Sequence, residues 1–335
     1  DRAPAANVKL PEHAKAGTAA TGIFSVRALR ESRITLSLPD GRSIEVRRQR
    51  ISEDKSQGRL SWLGTIDEMR GSLLSLTQYR GVVTGFLTYG AETWEIMPGT
   101  DGKHILYQVD EQKLPEPSTP LAPDAEPGGG DMDEEAAVQN EPTSNAGGSG
   151  YVHDLLVVYT PASRSRHGRA QLESMVQNAV AATNQAYLNS NIDVTLNLVG
   201  LQEINYQETG DLRTSVYALR DKGDGKMDGV HQLRDDVGAD IVTVLTQATG
   251  YCGWGFIMSY ERAGFESSAF NGARPECLSS FTLAHEIGHN QGSDHDRANA
   301  ALTSTVFPYS YGFRRCTSDG TGFRTVMSYS CSGAG

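Results

Sequence analysis

Between residues 21 and 109 apolar side chains recur at every second position in short runs, and each run is closed by turn-forming residues. Ile34, Leu36 and Leu38 alternate with Thr35 and Ser37, Pro39-Asp40-Gly41 follows, and Ile44 and Val46 then alternate with Ser43 and Glu45. A period of two broken by Pro and Gly predicts strands joined by tight turns. Further strands are expected over 60–63, 73–77, 82–88, 93–97 and 105–109, with another turn at Gly99-Thr100-Asp101-Gly102. Trp62 and Trp94 fall within these strands, where large aromatics pack a core. Residues 1–114 are therefore expected to form a mostly β domain.

The pattern stops over residues 115–150, which concentrate Pro, Gly, Ser and carboxylates and hold few bulky apolar side chains. Such a segment cannot offset the entropy of ordering it, so it reads as an accessible linker and the expected place for processing. Beyond it, strand and helix alternate. Residues 152–159 read as a strand, and Leu172, Val176, Ala179, Val180, Thr183 and Tyr187 mark one face of a helix. Ile192, Val194, Leu196 and Leu198 alternate as the next strand, and helices are expected around 212–220 and 230–237. A continuous apolar strand over 239–246, a strand over 252–260 and a helix over 278–291 complete an α/β domain spanning 151–335.

Composition narrows the function classes. Hydrophobic residues make up 38% and charged residues 21%, ordinary for a soluble globular protein. No apolar run is long enough for a membrane span. Seven of the eleven net negative charges lie within residues 122–150, which contain no Lys or Arg, so the acidity is local. The clustered basic footprint that a nucleic-acid partner requires is missing. Residues 1–9 lack the basic start and apolar middle of a signal peptide, which a mature secreted protein would already have lost, so their absence decides nothing.

Cys252, Cys277, Cys316 and Cys331 all lie in the C-terminal half without C-x-x-C spacing, which argues against thiol-bound metal. Proximity along the chain favours Cys252 with Cys277 and Cys316 with Cys331, each closing a loop that contributes roughly 3 kcal/mol. Two such disulfides imply an oxidising, extracellular or periplasmic compartment.

The chemistry is concentrated in one stretch. His285 and His289 are four apart, so on a helix both imidazoles leave the same face one turn apart, as two ligands of a tetrahedral zinc ion require. Glu286 can reach into the cleft beside the metal and act as general base toward water. Gly292 allows the chain to reverse after the helix, which brings in His295 as third ligand and leaves the fourth position open. His13, His104, His153, His167 and His231 have no such partners and read as surface or structural.

His285-Glu286-x-x-His289-x-x-Gly292-x-x-His295 resembles the metzincin zinc motif, and the Asp296 that follows resembles the reprolysin branch. Thr325-Val326-Met327-Ser328-Tyr329 resembles the methionine turn of those enzymes, with Met327 as the floor under the imidazoles. Tyr329 is similar to the tyrosine of astacins and serralysins that stabilises the oxyanion, which reprolysins lack. The mixed signature is similar to bacterial peptidyl-Asp metallopeptidases. The resemblance implies a secreted zinc endopeptidase in precursor form, cutting on the amino side of Asp. It also implies an α/β metzincin catalytic domain, with a twisted mixed sheet, an active-site helix and a methionine turn, preceded by a mostly β pro-domain. Protein or peptide substrates and the intramolecular pro-domain are the expected partners.

An Asp-selective pocket needs a cation, for which Arg314, Arg315 and Arg324 are the candidates near the methionine turn. No Cys precedes Cys252, so a thiol cannot silence the metal, and Asp131 or Asp133 of the acidic stretch is a candidate latency carboxylate, as in astacin precursors. Residues 221–228 superficially resemble a calcium loop, but the spacing is off by one and calcium is not expected. Metzincins usually continue from the methionine turn into another helix, which the sequence up to Gly335 does not supply. Three alternatives remain open at this stage: a metzincin of other specificity, a non-catalytic zinc-stabilised binding module, and an N-terminal domain that recruits substrate instead of inhibiting.

Overall fold

The computed structural model describes residues 2–4, 9–123, 150–261, 263–303, 305–317 and 322–331. The N-terminal part is one antiparallel sheet of nine strands: β1 (Arg2–Pro4), β2 (Ala20–Gly22), β3 (Arg33–Ser37), β4 (Ser43–Asp54), β5 (Arg59–Thr65), β6 (Leu73–Tyr79), β7 (Val82–Tyr89), β8 (Glu92–Pro98) and β9 (His104–Gln108). Strands β3 to β9 form a meander with β2 and then β1 added beside β9. The hairpin between β6 and β7 turns on Arg80 (φ 49°) and Gly81 (φ 80°), the two positive-φ residues that match the twist of the paired strands.

Every expected strand of this region is present, though β4 runs eight residues past the expected end at Val46. The central strands β5 to β8 are buried on both faces, not one. One face holds a core that contains Trp62 and Trp94. The other face lies against a helix of the second part and is lined with small polar residues as well as Leu63, Leu73 and Phe86.

The second part contains β10 (Tyr151–Tyr159), α1 (Pro161–His167), α2 (Arg169–Asn189), β11 (Val194–Glu203), α3 (Leu212–Arg220), α4 (Gly229–Val237), β12 (Ile241–Leu245), β13 (Gly253–Gly255), β14 (Phe270–Ala273), α5 (Thr282–Asn290), β15 (Asp294–Asp296), β16 (Tyr311–Gly312), β17 (Arg314–Arg315) and β18 (Phe323–Arg324). Its main sheet has the order β11-β10-β12-β14-β13. The first four strands are parallel, and β13 is an antiparallel edge. Helices start where capping chemistry allows: Asp211 accepts from the Thr214 amide at 2.9 Å ahead of α3, and Thr160 accepts from the Ser163 amide at 3.1 Å with Pro161 in the first turn of α1.

Three expectations need correction. Helix α2 is not one-faced: Glu173, Ser174, Gln177 and Asn178 are as buried as Val176 and Val180, because α2 lies between the two sheets. Its polar side is matched across the seam, where Ser75 and Thr77 donate to the Asn178 amide oxygen at 2.7 and 3.1 Å and Thr84 meets Ser174 at 2.8 Å. The strand expected over 252–260 shrinks to β13, and β14, its partner, had no alternation to reveal it. The helix expected from 278 begins at Thr282, because Phe281 takes a left-handed conformation (φ 62°) that ends a preceding 3₁₀ turn.

Among the described residues no helix is long and apolar enough to cross a membrane. All four cysteines are paired, Cys252 with Cys277 and Cys316 with Cys331, as proximity predicted.

Candidate active site

Helix α5 is buried along its whole length under β13 and β14. Asn290 fixes it there: its amide donates to the Phe256 carbonyl at 2.8 Å, and its oxygen accepts from Asn271 at 2.8 Å. The Met258 amide donates to the carbonyl of His289 at 3.2 Å, so the helix is tied to the chain just after β13. After Asn290 the backbone reverses at Gly292 (φ 87°), where a Cβ would come within 2.6 Å of Val306. A side chain at Gly292 would thus be strained both by the backbone conformation and by Val306.

The reversal leads into β15, which pairs with β16. Asp294 holds this return loop from within, accepting from the amides of His295 (2.7 Å), Ala301 (3.1 Å) and Leu302 (2.8 Å). Asp294 was not singled out by the sequence, since a single carboxylate beside a histidine carries no spacing signal.

The outcome is a triangle of imidazoles. The Nε2 atoms of His285, His289 and His295 lie 3.1, 3.1 and 3.2 Å from one another. Nδ1 of His285 donates to the Val326 carbonyl at 2.8 Å and Nδ1 of His289 to the Ser293 carbonyl at 2.7 Å. A carbonyl only accepts, so these Nδ1 atoms carry the proton and both Nε2 lone pairs face the shared centre. Burial pushes His285 down to about 3, with a further push from His295, and holds His289 well below the usual histidine range. His295 is lowered as well, chiefly by burial. The two neutral lone pairs of His285 and His289 repel one another unless a proton or a cation sits among the three nitrogens. Spacing of this kind suits one ion with bonds of about 2.0 Å. Among the described residues this is the one cluster able to hold a metal.

Glu286 is fully buried, and neither carboxylate oxygen has a hydrogen-bond partner. Burial without a partner raises its pKa well above the carboxylate range. Room for it is made by glycine: a Cβ on Gly253 would lie 2.2 Å from its Oε1, and one on Gly255 3.3 Å from its Oε2. A buried carboxylate left without a partner, on the residue that follows the first of three converging histidines, fits a metal site better than a finished packing arrangement.

Met327 is buried, its sulfur pressed on Gly288 of α5, where a Cβ would come within 2.4 Å. The ring of Tyr329 lies 4.4 Å from that of His295, and its hydroxyl donates to the Pro117 carbonyl at 3.0 Å.

The three arginines differ in what they face, although Arg324, like Arg314, donates to a backbone carbonyl, that of Ser328 at 3.0 Å. Arg314 is committed to structure, facing Asp296 at 3.3 Å and donating to the Ser330 carbonyl at 2.9 Å. Arg315 is exposed on β17. Arg324 lines a cavity of about 40 Å³ together with His285, Val326, Glu111 and Glu116. Its guanidinium lies 3.9 Å from the Glu111 carboxylate, and its charge helps to depress His285. Asp131 and Asp133 lie outside the described residues. In the loop over 221–228, Asp228 accepts from the amides of Gly223 and Gly225, and Asp224 from that of Lys226.

Residues 173–296 match the family model described as metallo-peptidase family M12B, reprolysin-like. A peptidyl-Asp metalloendopeptidase of Stenotrophomonas maltophilia is 32% identical over 305 residues, covering 88% of this chain and 68% of the relative. One of Xanthomonas campestris is 32% identical over 273 residues, covering 80% of this chain and 61% of the relative. Metalloproteinase-II of Bacteroides fragilis aligns over 83% of this chain and 85% of its own at 12% identity, with a TM-score of 0.45, a likeness too loose to bear on the site. The relatives, the matched segment and the histidine triangle within it agree: the chain belongs to the reprolysin-like metallopeptidases of family M12B and is a peptide hydrolase.

Proposed function

We propose that this chain is a secreted, zinc-dependent endopeptidase in precursor form that cuts on the amino side of aspartate. The observation that carries the reading is the convergence of three buried imidazoles, with a buried, unpartnered Glu286 next to the first of them in sequence. Zinc, when bound by His285, His289 and His295, supplies a Lewis acid that polarises a carbonyl and lowers the pKa of water to about 7.

The remaining work falls to the chain's own residues. Glu286 takes a proton from the attacking water and returns it to the leaving amine, so one carboxylate serves both halves of the reaction. Gly253 and Gly255 leave the space that its carboxylate occupies. Tyr329 supplies a hydroxyl to the substrate carbonyl oxygen as negative charge develops there. Met327 is the floor of a methionine turn that keeps the first turn of imidazoles level through its contact with Gly288.

Aspartate preference is supported by the names of the relatives and by Arg324, the arginine that reaches the cavity beside His285. A planar guanidinium recognises a carboxylate by charge-assisted, bidentate hydrogen bonds. Secretion is supported by the two disulfides. We read residues 1–114 as the pro-domain, 115–150 as the connecting segment that is processed, and 151–335 as the peptidase domain. The chain covers 68% and 61% of the two relatives' lengths, so the activity of the whole protein is part of this proposal.

The test is to digest a denatured proteome with the processed, zinc-loaded protein, with and without a chelator, and to map the cleaved bonds. Chelator-sensitive cuts preceding Asp support the reading. Cuts without residue preference would leave a peptidase of other specificity, and no cuts at all would leave a binding module.

A further inference from the structure

The stretch read as the start of a free linker is seated in the cleft. Residues 115–121 run beside the outer edge of β13, the strand whose inner edge pairs with β14. The Cys252 amide donates to Glu116 O at 3.4 Å, the Ser118 amide to Gly253 O at 3.0 Å, the Leu121 amide to Gly255 O at 3.4 Å, and the Ile257 amide to Leu121 O at 3.0 Å. Leu121 and Phe256 form a parallel bridge. The Trp254 indole donates to Thr119 O at 3.1 Å, and the Tyr329 hydroxyl to Pro117 O at 3.0 Å. Pro120 and Ala122 are buried.

The local sequence suits this pose. Prolines stand at 115, 117 and 120, whereas the two amides used for pairing belong to Ser118 and Leu121. Proline keeps the backbone extended and offers no further donor, so the segment can add to an edge without recruiting another strand. Just upstream, Glu111 faces Arg324 at 3.9 Å, and Glu116 lines the same cavity as His285.

An extended peptide that adds to a sheet edge uses the strand's outward N–H and C=O groups, so two peptides cannot hold the same edge at once. We propose that residues 111–121 are a tethered occupant of the substrate cleft. The segment takes up the β13 edge and the Tyr329 hydroxyl, and Glu111 stands against Arg324 where an acidic substrate side chain would go. The proposal rests on reading the cleft as the substrate site. A tether of this kind holds the occupant at an effective concentration on the order of millimolar, above what a typical peptide substrate reaches.

The test uses the full chain carrying Glu286→Gln, so that a bound peptide is not consumed. A fluorescein-labelled Asp-containing decapeptide is titrated into this chain and into the same chain with Ser118→Pro or Leu121→Pro, each of which removes one pairing amide. Binding is read by anisotropy, and amide exchange at Cys252 and Ile257 by mass spectrometry. Occupancy predicts slow exchange at both amides in the parent, faster exchange in the variants, and affinity for the peptide raised by about tenfold or more. Equal affinity in parent and variants overturns the proposal. Exchange at Cys252 and Ile257 as fast in the parent as in an exposed loop overturns it too, whether or not the variants fold. Restoring Glu286 in the opened chain then separates the two readings, since a peptide that binds but is never cut counts against the peptidase mechanism and leaves the occupant in place.

Discussion

The carboxylate of Glu286 lies directly on the α-carbon of Gly253, so close that a methyl group there would sit 2.2 Å from Oε1. Glu286 and the edge strand β13 are therefore one packed unit. Gly253→Ala should push Glu286 out of position while leaving His285, His289 and His295 untouched. We expect kcat to fall by about 100-fold, the scale of losing a positioned general base, with zinc content unchanged. Steady-state kinetics and metal analysis on the same preparation check this, and a fully active Gly253→Ala would contradict the packing argument.

Glu286→Gln keeps the shape and removes the base. Peptide cleavage should drop by about 10²- to 10⁴-fold while one metal per chain is retained. Turnover within a few fold of the parent would transfer the role of base to another group.

Arg324→Gln should act on selectivity. For the processed enzyme, the ratio of kcat/KM between an Asp peptide and its Asn counterpart is expected to fall by about tenfold or more, the value of a charge-assisted hydrogen bond of about 1.5–3 kcal/mol. Arg315→Gln, on the exposed face of β17, should leave the ratio unchanged. An unchanged ratio in Arg324→Gln removes that residue from the pocket.

The Cys252–Cys277 disulfide joins the start of β13 to the turn before α5 across a separation of 25 residues. Replacing both by Ser should cost about 3 kcal/mol of stability. A urea midpoint equal to that of the parent would show that the bond contributes nothing to the fold.

How much of this could be read beforehand follows from where each contact lies along the chain. His285, Glu286, His289, Gly292 and His295 fall within eleven consecutive residues, so helix geometry and one turn suffice to assemble them. Met327 and Tyr329 were visible only through resemblance, because their contacts with Gly288 and His295 bridge distant segments. Gly253 gave no sign of its role, since its partner Glu286 is brought to it by sheet pairing. Choosing among Arg314, Arg315 and Arg324 required knowing that Asp296 claims the first and that the third reaches the cavity. The polar side of α2 looked solvent-facing because a 3.6-residue pattern reports one partner, and α2 has two. Residues 115–121 carry the composition of a linker, and only the neighbouring edge of β13 gives their backbone groups somewhere to go.

Metal content tests the central claim most directly. The purified, folded chain, supplied with zinc and then dialysed, should contain one zinc per molecule by elemental analysis, and His289→Ala should lose it. A correctly folded parent that holds no stoichiometric transition metal after zinc has been supplied would contradict the account of the three imidazoles, and the proposed mechanism with it.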